Sequence, residues 1–563
     1  MSVFEKKEEN FDNHTKTCEN RLIFFFGIVA ILLSLLAARL YYLQIIKGKE
    51  LSNKAVQQWF EMKEAIEDRG TIYDRNHIPL TNRVKEDYLI IKPNFTANDK
   101  NLEILSDLTK IEKNKLTSLI LKNNKILKLL IKNKEREKVK EIVRVKGTTI
   151  IEAKKRYDES GLASHVVGYI NEAENTGASG LEKAFNNELK ENRLVKIGAI
   201  VDAKKEVIPG FGYVVYESDD SVQKNVVTTI DYNVQKIAEE VFDKNYHKGS
   251  VVVLEAKTGE ILAMVSRPNF QQNNVGYHLN SNERELYNKA LQISYPPGSV
   301  FKIVVAAAVL EEEIVRLKDE FICNGYEMLG SNMIKCYTYE RGGHGSLDFR
   351  RAFVESCNST FIQAGKILGG KKLLNYAAKF GLGKKTGVKI SEEVDGILPT
   401  EDYVKGPGIG NISIGQGSLQ VTPLQVARLT NIIVNGGVDV GVQLVKSIIN
   451  DKGESVIKFN NKNIKRVTSV GTANKIKQMM NKVVDEGTGK KAKIEGVESG
   501  GKTGSAEAIG EDGETVHAWF TGYFRGEKSK YIITVLVEDG GSGGEAAAPL
   551  FAEISQKMLK LGF

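Results

Sequence analysis

An apolar segment near the N-terminus places the strongest constraint on what this chain can fold into. Residues 22–46 carry a single charge, Arg39, among Leu, Ile, Phe and Ala. A transmembrane helix needs about 20 such residues, and a long arginine side chain can reach the headgroups. Leu36-Ala37-Ala38 is a poor match to the cleavage site of a signal peptide. The sequence therefore predicts an uncleaved anchor over residues 22–46, preceded by a short tail of residues 1–21.

The rest of the chain is too long for one core, because 563 residues normally divide into two or more domains. Residues 47–225 mix short strands with a basic helical stretch. Residues 226–563 have strand-like runs at both ends and helical runs between them, one of which predicts a continuous helix over 349–368. The predicted strands are 250–254, 261–265, 501–507, 518–524 and 532–538. This order predicts an α/β (α+β) domain in which one antiparallel sheet is sandwiched by helices.

The formal net charge of +8 raises the question of a nucleic-acid partner. Much of the excess lies in residues 101–161, where lysines alternate with Leu and Ile at helical spacing. Sites for single-stranded nucleic acid combine basic with stacking aromatic side chains, and this stretch lacks that pattern. We expect a solvated helical face and no nucleic-acid partner. Contact with an anionic lipid or wall polymer stays open.

A Ser-x-x-Lys pair predicts the chemistry of the second domain. Pro296, Pro297 and Gly298 make a turn, and the apolar run that follows has no breaker, so a helix should begin near Ser299. Residues three apart share a helix face, which brings the Lys302 amine beside the Ser299 hydroxyl. A lysine in an apolar wall can take the serine proton and activate the nucleophile. The pair therefore predicts an acyl-transfer site.

Two further motifs follow this pair along the chain. They are Ser356-Cys357-Asn358 and Lys502-Thr503-Gly504-Ser505. The three elements in this order are the known signature of penicillin-interacting serine enzymes. A helix-capping role is the structural alternative for the second motif, since Ser and Asn are common capping residues.

Isolated copies of the first and third motifs occur elsewhere and have ordinary explanations. On a lysine-rich chain, chance alone accounts for further Ser-x-x-Lys tetrads. One other Lys-Thr-Gly triplet lies between two β-branched runs and predicts a hairpin turn, and another sits in a glycine-rich loop. These copies begin at Ser221, Ser455, Ser499, Lys257 and Lys385.

The wider sequence resembles the class B penicillin-binding proteins, the membrane-anchored D,D-transpeptidases of bacterial cell walls. Further motifs carry the resemblance, namely Arg69–Asn76, His165–Tyr169, Ser179–Glu182, Thr229–Asp231, Gly415–Gly417 and Val421–Gln425. It implies that residues 1–21 are cytoplasmic and that everything after the anchor is outside the bacterial cell membrane. Residues 47–225 would form a non-catalytic pedestal of the dimerisation type, and residues 226–563 the penicillin-binding transpeptidase domain.

The resemblance also implies the acyl-transfer roles. Ser299 would attack the penultimate D-alanine of a stem peptide ending in D-Ala-D-Ala, and Lys302 would accept its proton. The backbone N–H groups of Ser299 and Ser505 would stabilise the oxyanion. Ser356 would relay a proton to the departing D-alanine, and Asn358 would hold the substrate amide. An amine of a second stem peptide would then resolve the acyl-enzyme, and β-lactams that mimic D-Ala-D-Ala would trap Ser299.

The third motif would bind the donor substrate. Lys502 would add positive charge for the terminal carboxylate, beside Thr503, Gly504 and Ser505. Glu507 and Gln416 are further candidates for the lining of the cleft. The family implies no cofactor for catalysis, and it implies a membrane glycan polymerase of the shape, division or sporulation kind as a partner.

Alternative functions share the same motifs. A β-lactam sensor or a penicillin-binding scaffold would be acylated without cross-linking, although sensors usually carry several membrane spans. A hydrolytic β-lactamase or a D,D-carboxypeptidase would release the acyl group to water, and a β-lactamase would need a positioned deacylating base. For Arg69, Asp74 and Arg75, a structural salt-bridge node is expected rather than a site, and His517 and Trp519 are expected to pack the strand.

Two cysteines in the second domain leave two interpretations open. Cys323 and Cys336 are separated by a short loop, and His344 and Asp348 follow shortly afterwards. Outside the cell a disulfide is the default. Two thiols, an imidazole and a carboxylate also suit a structural Zn²⁺, and the two interpretations are equally supported. Cys357, inside the second motif, is expected to line the cleft as a small filler.

Overall fold

The computed structural model describes most of the chain. Within residues 3–563, the positions that it leaves out are 49, 52–53, 55–59, 68, 92–94, 96–97, 123–126, 146, 172–173, 191–193, 201–212, 218–222, 280, 282, 461–463 and 511–512. Ser221, which begins one of the chance tetrads, lies outside the described residues.

The helices are numbered along the chain. They are α1 (Val3–Tyr41), α2 (Asp99–Thr109), α3 (Lys113–Lys122), α4 (Arg136–Val143), α5 (Ser164–Val167), α6 (Gly180–Ala184), α7 (Asn186–Lys190), α8 (Tyr232–Asn245), α9 (Val275–His278), α10 (Lys302–Glu311), α11 (Phe349–Val354), α12 (Asn358–Leu368), α13 (Gly370–Lys379), α14 (Glu401–Lys405), α15 (Gly408–Ser413), α16 (Pro423–Val434), α17 (Val470–Asp485) and α18 (Ala548–Lys560).

The strands follow the same convention. They are β1 (Phe60–Glu67), β2 (Ile72–Tyr73), β3 (Val84–Ile91), β4 (Leu127–Leu130), β5 (Thr148–Lys155), β6 (Ile170–Asn171), β7 (Thr176–Gly177), β8 (Leu194–Ile200), β9 (Tyr213–Glu217), β10 (Lys224–Thr228), β11 (Gly249–Glu255), β12 (Ile261–Arg267), β13 (Glu320–Cys323), β14 (Tyr326–Leu329), β15 (Asn332–Lys335), β16 (Gly345–Asp348), β17 (Val438–Asp439), β18 (Val445–Asn450), β19 (Ser455–Lys458), β20 (Lys465–Arg466), β21 (Ser499–Gly510), β22 (Gly513–Arg525) and β23 (Lys530–Val537).

The N-terminal helix matches the predicted anchor. Helix α1 continues as a π-helix over Tyr42–Ile46. The stretch Asn20–Ile46 is long and apolar enough to cross a membrane, and its side chains are exposed. Exposed Leu, Ile and Phe on all sides are expected of a helix that is covered by lipid rather than by protein.

The described chain divides into two compact units. The smaller one contains residues 1–66, 88–151 and 194–218. In it, β1, β8 and β9 form one sheet, and the end of β3 pairs with β4 in another. Its core is made by apolar residues of α2 with those of the second sheet.

The larger unit contains residues 67–87, 152–193 and 219–563. The first two segments pack there because β2 pairs with β10, and because Arg69 and Arg156 both bind the buried carboxylate of Glu182. These contacts, with the ion pair of Arg75 to Glu260, make the motif around Arg69 a structural node. The division at residue 225 into pedestal and catalytic domain stays a prediction. The two compact units have different boundaries, because residues 67–87 and 152–193 belong to the larger unit.

The centre of the larger unit is a five-stranded antiparallel sheet in the order β12-β11-β23-β22-β21. Alternate side chains of β11 enter two different cores. Val251 and Val253 pack with α8 and α18, and Val252 and Leu254 pack in the core that contains α10 and α16. The predicted sheet sandwiched by helices is therefore confirmed. The Lys257 triplet is the turn of the β11–β12 hairpin, as expected.

One predicted helix is wrong. The run 349–368 was expected to be continuous, but it forms α11 and α12 with a break between them. At the break, Ser356 has φ +56°, a left-handed conformation that a helix cannot contain. The conformation costs about 1–2 kcal/mol for a residue with a side chain. It turns the Ser356 carbonyl toward Lys302, which donates a hydrogen bond to it.

Candidate active site

The Ser299 turn is packed directly against strand β21. Ser299 lies in a 3₁₀ turn, Gly298–Phe301, that leads into α10. Gly298 has φ +54°, and a Cβ at this position would lie 2.7 Å from the Ser505 carbonyl oxygen. On the strand, a Cβ at Gly504 would lie 3.0 Å from the Pro297 carbonyl oxygen. Two glycines therefore allow the first and third motifs to approach each other.

The amine of Lys302 joins the first motif to the second. It donates to the Ser356 carbonyl at 2.7 Å and to the Asn358 side-chain oxygen at 2.7 Å, and lies 3.3 Å from the Ser356 hydroxyl. Lys302 is fully buried on a helix that is apolar on every side. Burial, which penalises the ammonium form, lowers the pKa of Lys302 to about 8.

A second buried amine lies under the same site. Lys502 on β21 is fully buried, and its pKa is lowered well below the usual value by burial and, second, by the charge of Lys302. The Thr503 hydroxyl lies 2.6 Å from that of Thr488. The Ser505 hydroxyl accepts a hydrogen bond from the Gly543 N–H at 3.3 Å.

Several of these groups line one cavity of about 830 Å³. Six of the predicted site residues line it, namely Ser299, Cys336, Ser356, Asn358, Thr503 and Ser505, whereas the buried Lys302 and Lys502 do not. Gln416 and Glu507 line it too. Gly504 is absent from the lining and serves the packing described above. Ser455 and Ser499, the described chance tetrads, lie on strands β19 and β21 outside the lining.

Some lining residues were missed from the sequence. Thr488 and the turn containing Ser542, Gly544 and Glu545 lie against β21. The glycine-rich run 540–544 was the only available signal, since repeated glycine marks a place where backbones approach closely. His517 and Trp519 behave as expected of packing residues, because both stack edge-on against Tyr295.

A cluster of thiols lies beside the second motif. The ligand atoms of Cys323, Cys336, His344 and Cys357 all lie within 4.8 Å of one another. His344 Nδ1 is 3.5 Å from the Cys323 sulfur and 3.6 Å from the Cys336 sulfur. The hydrogen bond with Cys336 raises the pKa of His344 to about 9. The backbone N–H of Asn358 donates to the Cys336 sulfur at 3.4 Å, so the cluster contacts the second motif directly.

This cluster corrects three expectations. Asp348 is no part of it: its carboxylate caps α11 by accepting from the Arg351 N–H at 2.6 Å. Cys357 was expected to fill the cleft, but its thiol belongs to the cluster. Cys323 and Cys336 are free thiols rather than a disulfide. The position of Cys357 in this cluster could not be predicted from the sequence, because it follows the break in the helix at Ser356, which was not predicted.

Comparison with known proteins defines the class. The model of the penicillin binding protein transpeptidase domain matches residues 249–556, and that of the penicillin-binding protein dimerisation domain matches residues 67–208. The chain belongs to the penicillin-binding transpeptidase family.

Individual relatives agree with this family over nearly their whole length. Stage V sporulation protein D of Bacillus subtilis is 31% identical, over 96% of this chain and 86% of that protein. The peptidoglycan D,D-transpeptidase MrdA of Acinetobacter baumannii is 27% identical, over 94% and 86%.

Solved structures share the fold. Penicillin-binding protein PBP2 of Helicobacter pylori, solved in complex with MreC, has a TM-score of 0.68 and 24% identity, over 89% of this chain and 99% of that one. Penicillin binding protein 3 of Mycobacterium tuberculosis, solved in complex with aztreonam, has a TM-score of 0.62 and 24% identity, over 88% and 96%.

Proposed function

We propose that the protein is a serine D,D-transpeptidase that cross-links peptidoglycan stem peptides through an acyl-enzyme at Ser299 and is acylated by β-lactams. The supporting observation is the convergence of three separate motifs on one cavity, with a hydroxyl on its wall and two buried amines beneath it. The names of the relatives, peptidoglycan D,D-transpeptidases, agree with this chemistry.

Acylation begins at the Ser299 hydroxyl. An amine whose pKa is near 8 is partly neutral at physiological pH, so Lys302 can accept the serine proton. The oxygen attacks the carbonyl of the penultimate D-alanine, and the N–H groups of Ser299 and Ser505 stabilise the oxyanion. Removing one such donor costs about 3 kcal/mol of barrier in other enzymes. The Ser356 hydroxyl, within reach of Lys302, passes the proton to the departing D-alanine.

The remaining groups hold the donor peptide. Lys502 supplies positive potential for the terminal carboxylate, and the Thr503 and Ser505 hydroxyls donate to it. The Asn358 side chain, fixed by Lys302 and by its own N–H donated to the Lys335 carbonyl at 3.1 Å, holds the substrate amide. An acceptor amine then attacks the ester and frees Ser299.

Labelling with a fluorescent penicillin tests this assignment. Wild-type protein should form a stable adduct, and Ser299→Ala should form none while keeping its thermal unfolding temperature. Persistent covalent labelling of Ser299→Ala would refute the assignment. The Ser455→Ala variant is the control, because this serine begins a chance tetrad on an exposed strand, and it should label normally.

The alternative functions differ in how the acyl-enzyme ends. With a D-alanyl thioester as donor, a transpeptidase should turn over faster when an amine acceptor is added. A sensor or scaffold should form the adduct and stop. Rapid breakdown of the penicillin adduct would identify a β-lactamase, and D-alanine release that ignores acceptors would identify a D,D-carboxypeptidase.

We also propose a bacterial cell-membrane location, with residues 1–21 in the cytoplasm and the chain after the anchor outside. A long domain translocates regardless of flanking charge, and peptidoglycan is the substrate of named relatives. A membrane glycan polymerase is the proposed partner. Proteolysis of intact spheroplasts should remove the domain and spare an N-terminal tag; protection of the domain would contradict this orientation.

We propose in addition that Cys323, Cys336, His344 and Cys357 hold a structural Zn²⁺. In a tetrahedral site with Zn–S bonds of about 2.3 Å, neighbouring ligand atoms lie about 3.6–3.8 Å apart. The His344–sulfur distances of 3.5 and 3.6 Å fit this value. Such an ion would tie the β13–β16 region to the second motif and would take no part in the acyl chemistry.

Metal analysis of the purified protein tests the zinc site. Wild-type protein should carry about one zinc per chain, and Cys357→Ser should lose it. Asp348→Asn is the matched control, because Asn can replace Asp as a helix cap, and this variant should keep the metal. Metal-free protein with a Cys323–Cys336 disulfide in its mass spectrum would overturn the zinc assignment.

A further inference from the structure

Strand β21 contributes one charged side chain to the cavity lining, that of Glu507, which follows the third motif along the strand. Side chains alternate along a strand, so Thr503, Ser505 and Glu507 lie on one face, and all three line the cavity. Two residues of strand span about 7 Å, which sets the distance between the backbones of Ser505 and Glu507. Glu507 therefore lies two residues further along the strand than Ser505, whose hydroxyl is proposed to bind the donor together with that of Thr503.

Glu507 is exposed and has no ion-pair partner among the residues that the structure describes. The other carboxylate of the lining that lies near β21, Glu545, is paired with Lys491. The buried amines of Lys302 and Lys502 lie outside the cavity lining. The one lysine of the lining, Lys335, has its amine over the Tyr339 ring, which leaves Glu507 as a lining carboxylate without an ion pair among the described residues. A carboxylate in a binding cavity favours a ligand that brings a positive charge to it.

The geometry points to Glu507 as a specificity residue that binds the ammonium group of the acyl acceptor. This inference rests on the proposed transpeptidase function and deepens it. The two substrates carry opposite charges at their reacting ends, a carboxylate on the donor and an amine on the acceptor. Glu507 sorts them by its charge: it attracts the acceptor ammonium group and repels the donor carboxylate. Glu507 therefore also disfavours a donor bound in the reversed direction.

Glu507 concentrates the acceptor and does not act as the base. The bound ammonium group loses one proton to solvent and becomes a nucleophile. Its nitrogen attacks the ester carbon, a C–N bond forms, and the C–O bond to Ser299 breaks. The second amine proton passes through Lys302 to the Ser299 oxygen, which restores the hydroxyl. The products are the amide cross-link and free enzyme.

The test uses full-length protein in detergent and a D-alanyl thioester donor, and it measures the ratio of aminolysis to hydrolysis. Nα-acetyl-lysine amide is the cationic acceptor, and hydroxylamine is the neutral one. In Glu507→Gln, the lysine acceptor should lose about fivefold in kcat/KM, since an exposed ion pair contributes up to about 1 kcal/mol. Hydroxylamine should be unaffected, because it carries no charge at neutral pH. Added salt should reduce the wild-type preference.

Glu514→Gln is the matched control. It removes the same charge from the neighbouring strand β22, at the position opposite Ile509 and outside the cavity lining. Its acceptor ratio should equal that of wild type. An unchanged ratio in Glu507→Gln, or an equal loss in Glu514→Gln, overturns the inference.

The two levels of the proposal fail differently. If Glu507→Gln is labelled by penicillin and hydrolyses the donor at the wild-type rate, with no change in acceptor preference, only the role of Glu507 is overturned. If wild-type protein shows no penicillin adduct and no acceptor-dependent turnover, the transpeptidase function is overturned as well.

Discussion

The two walls of the cavity are built in different ways. The β21 wall is the edge of a five-stranded sheet, held in place by main-chain hydrogen bonds and by close glycine contacts to the Ser299 turn. The opposite wall consists of the short hairpin β14–β15, whose Met333 is 48% exposed. The hairpin is held by the buried Leu329 and by the Asn358 side-chain amide, which donates to the Lys335 carbonyl. It ends beside the cluster of Cys323, Cys336, His344 and Cys357.

Because of this difference, the two walls should tolerate different kinds of substitution. A sheet edge is positioned by backbone geometry, so a single added methyl group at a point of close approach displaces it. A hairpin held by a few buried side chains and hydrogen bonds depends on those contacts and little on its exposed residues. Lys302, which donates to Ser356 and Asn358 from a helix next to the sheet, connects the two walls.

The largest expected effect comes from adding a methyl group at the β21 wall. Gly298→Ala would force a left-handed alanine and place its Cβ 2.7 Å from the Ser505 carbonyl oxygen. The Ser299 turn must then move away from an oxyanion donor, so the second-order rate of acylation by penicillin should fall on the order of 100-fold. Gly387→Ala is the control, because Gly387 also has a left-handed φ, +85°, but has open space around it. This variant should be acylated at the wild-type rate. Equal acylation rates in Gly298→Ala and Gly387→Ala would show that the close glycine contact does not position the β21 wall.

The pH profile tests the group shared by the two walls. In the proposed mechanism only the neutral amine of Lys302 takes the serine proton, and burial lowers the pKa of Lys302 to about 8. Acylation should therefore rise with pH, about tenfold per unit below this value, and level off above it. Lys302→Arg, whose side chain stays charged, should lose the activity at every pH. A rate that is flat between pH 6 and 8 would contradict the role of Lys302.

A smaller effect is expected at the hairpin wall when its cluster is broken. Cys336→Ser replaces the sulfur that accepts from the Asn358 N–H, and acylation should fall about tenfold, as for other residues that orient a site from behind. Treatment of wild-type protein with a chelator should reproduce the loss if zinc fills the cluster. Wild-type acylation by Cys336→Ser would show that the hairpin is held by its backbone instead.

The smallest effect is expected from an exposed side chain of the same hairpin. Met333→Ala should change the free energy of unfolding by less than about 0.5 kcal/mol and acylation by less than about twofold. Met328→Ala, equally exposed but outside the cavity lining, is the reference. A large loss in Met333→Ala alone would show that this wall also contacts the substrate through side chains.

Much of the site could be predicted because its chemistry lies in short, locally spaced motifs. Ser299 and Lys302 are one helical turn apart, so their proximity needs no long-range information. The five strands of the central sheet were predicted, and each is one to six residues longer in the structure, although β23 ends one residue before its predicted end. The break between α11 and α12 was missed because the left-handed Ser356 is held by a contact with Lys302, more than fifty residues away.

The sequence by itself predicted the apolar anchor, the five strands of the central sheet, and a nucleophile and base at Ser299 and Lys302, since these depend on composition and on local spacing. Only the tertiary structure decided that Cys357 joins Cys336 rather than the cleft and that Asp348 caps a helix. It also decided that Glu507 lines the cavity with no ion-pair partner among the described residues. These outcomes depend on which distant side chains come within a few ångströms of each other, and that is set by packing of the whole unit.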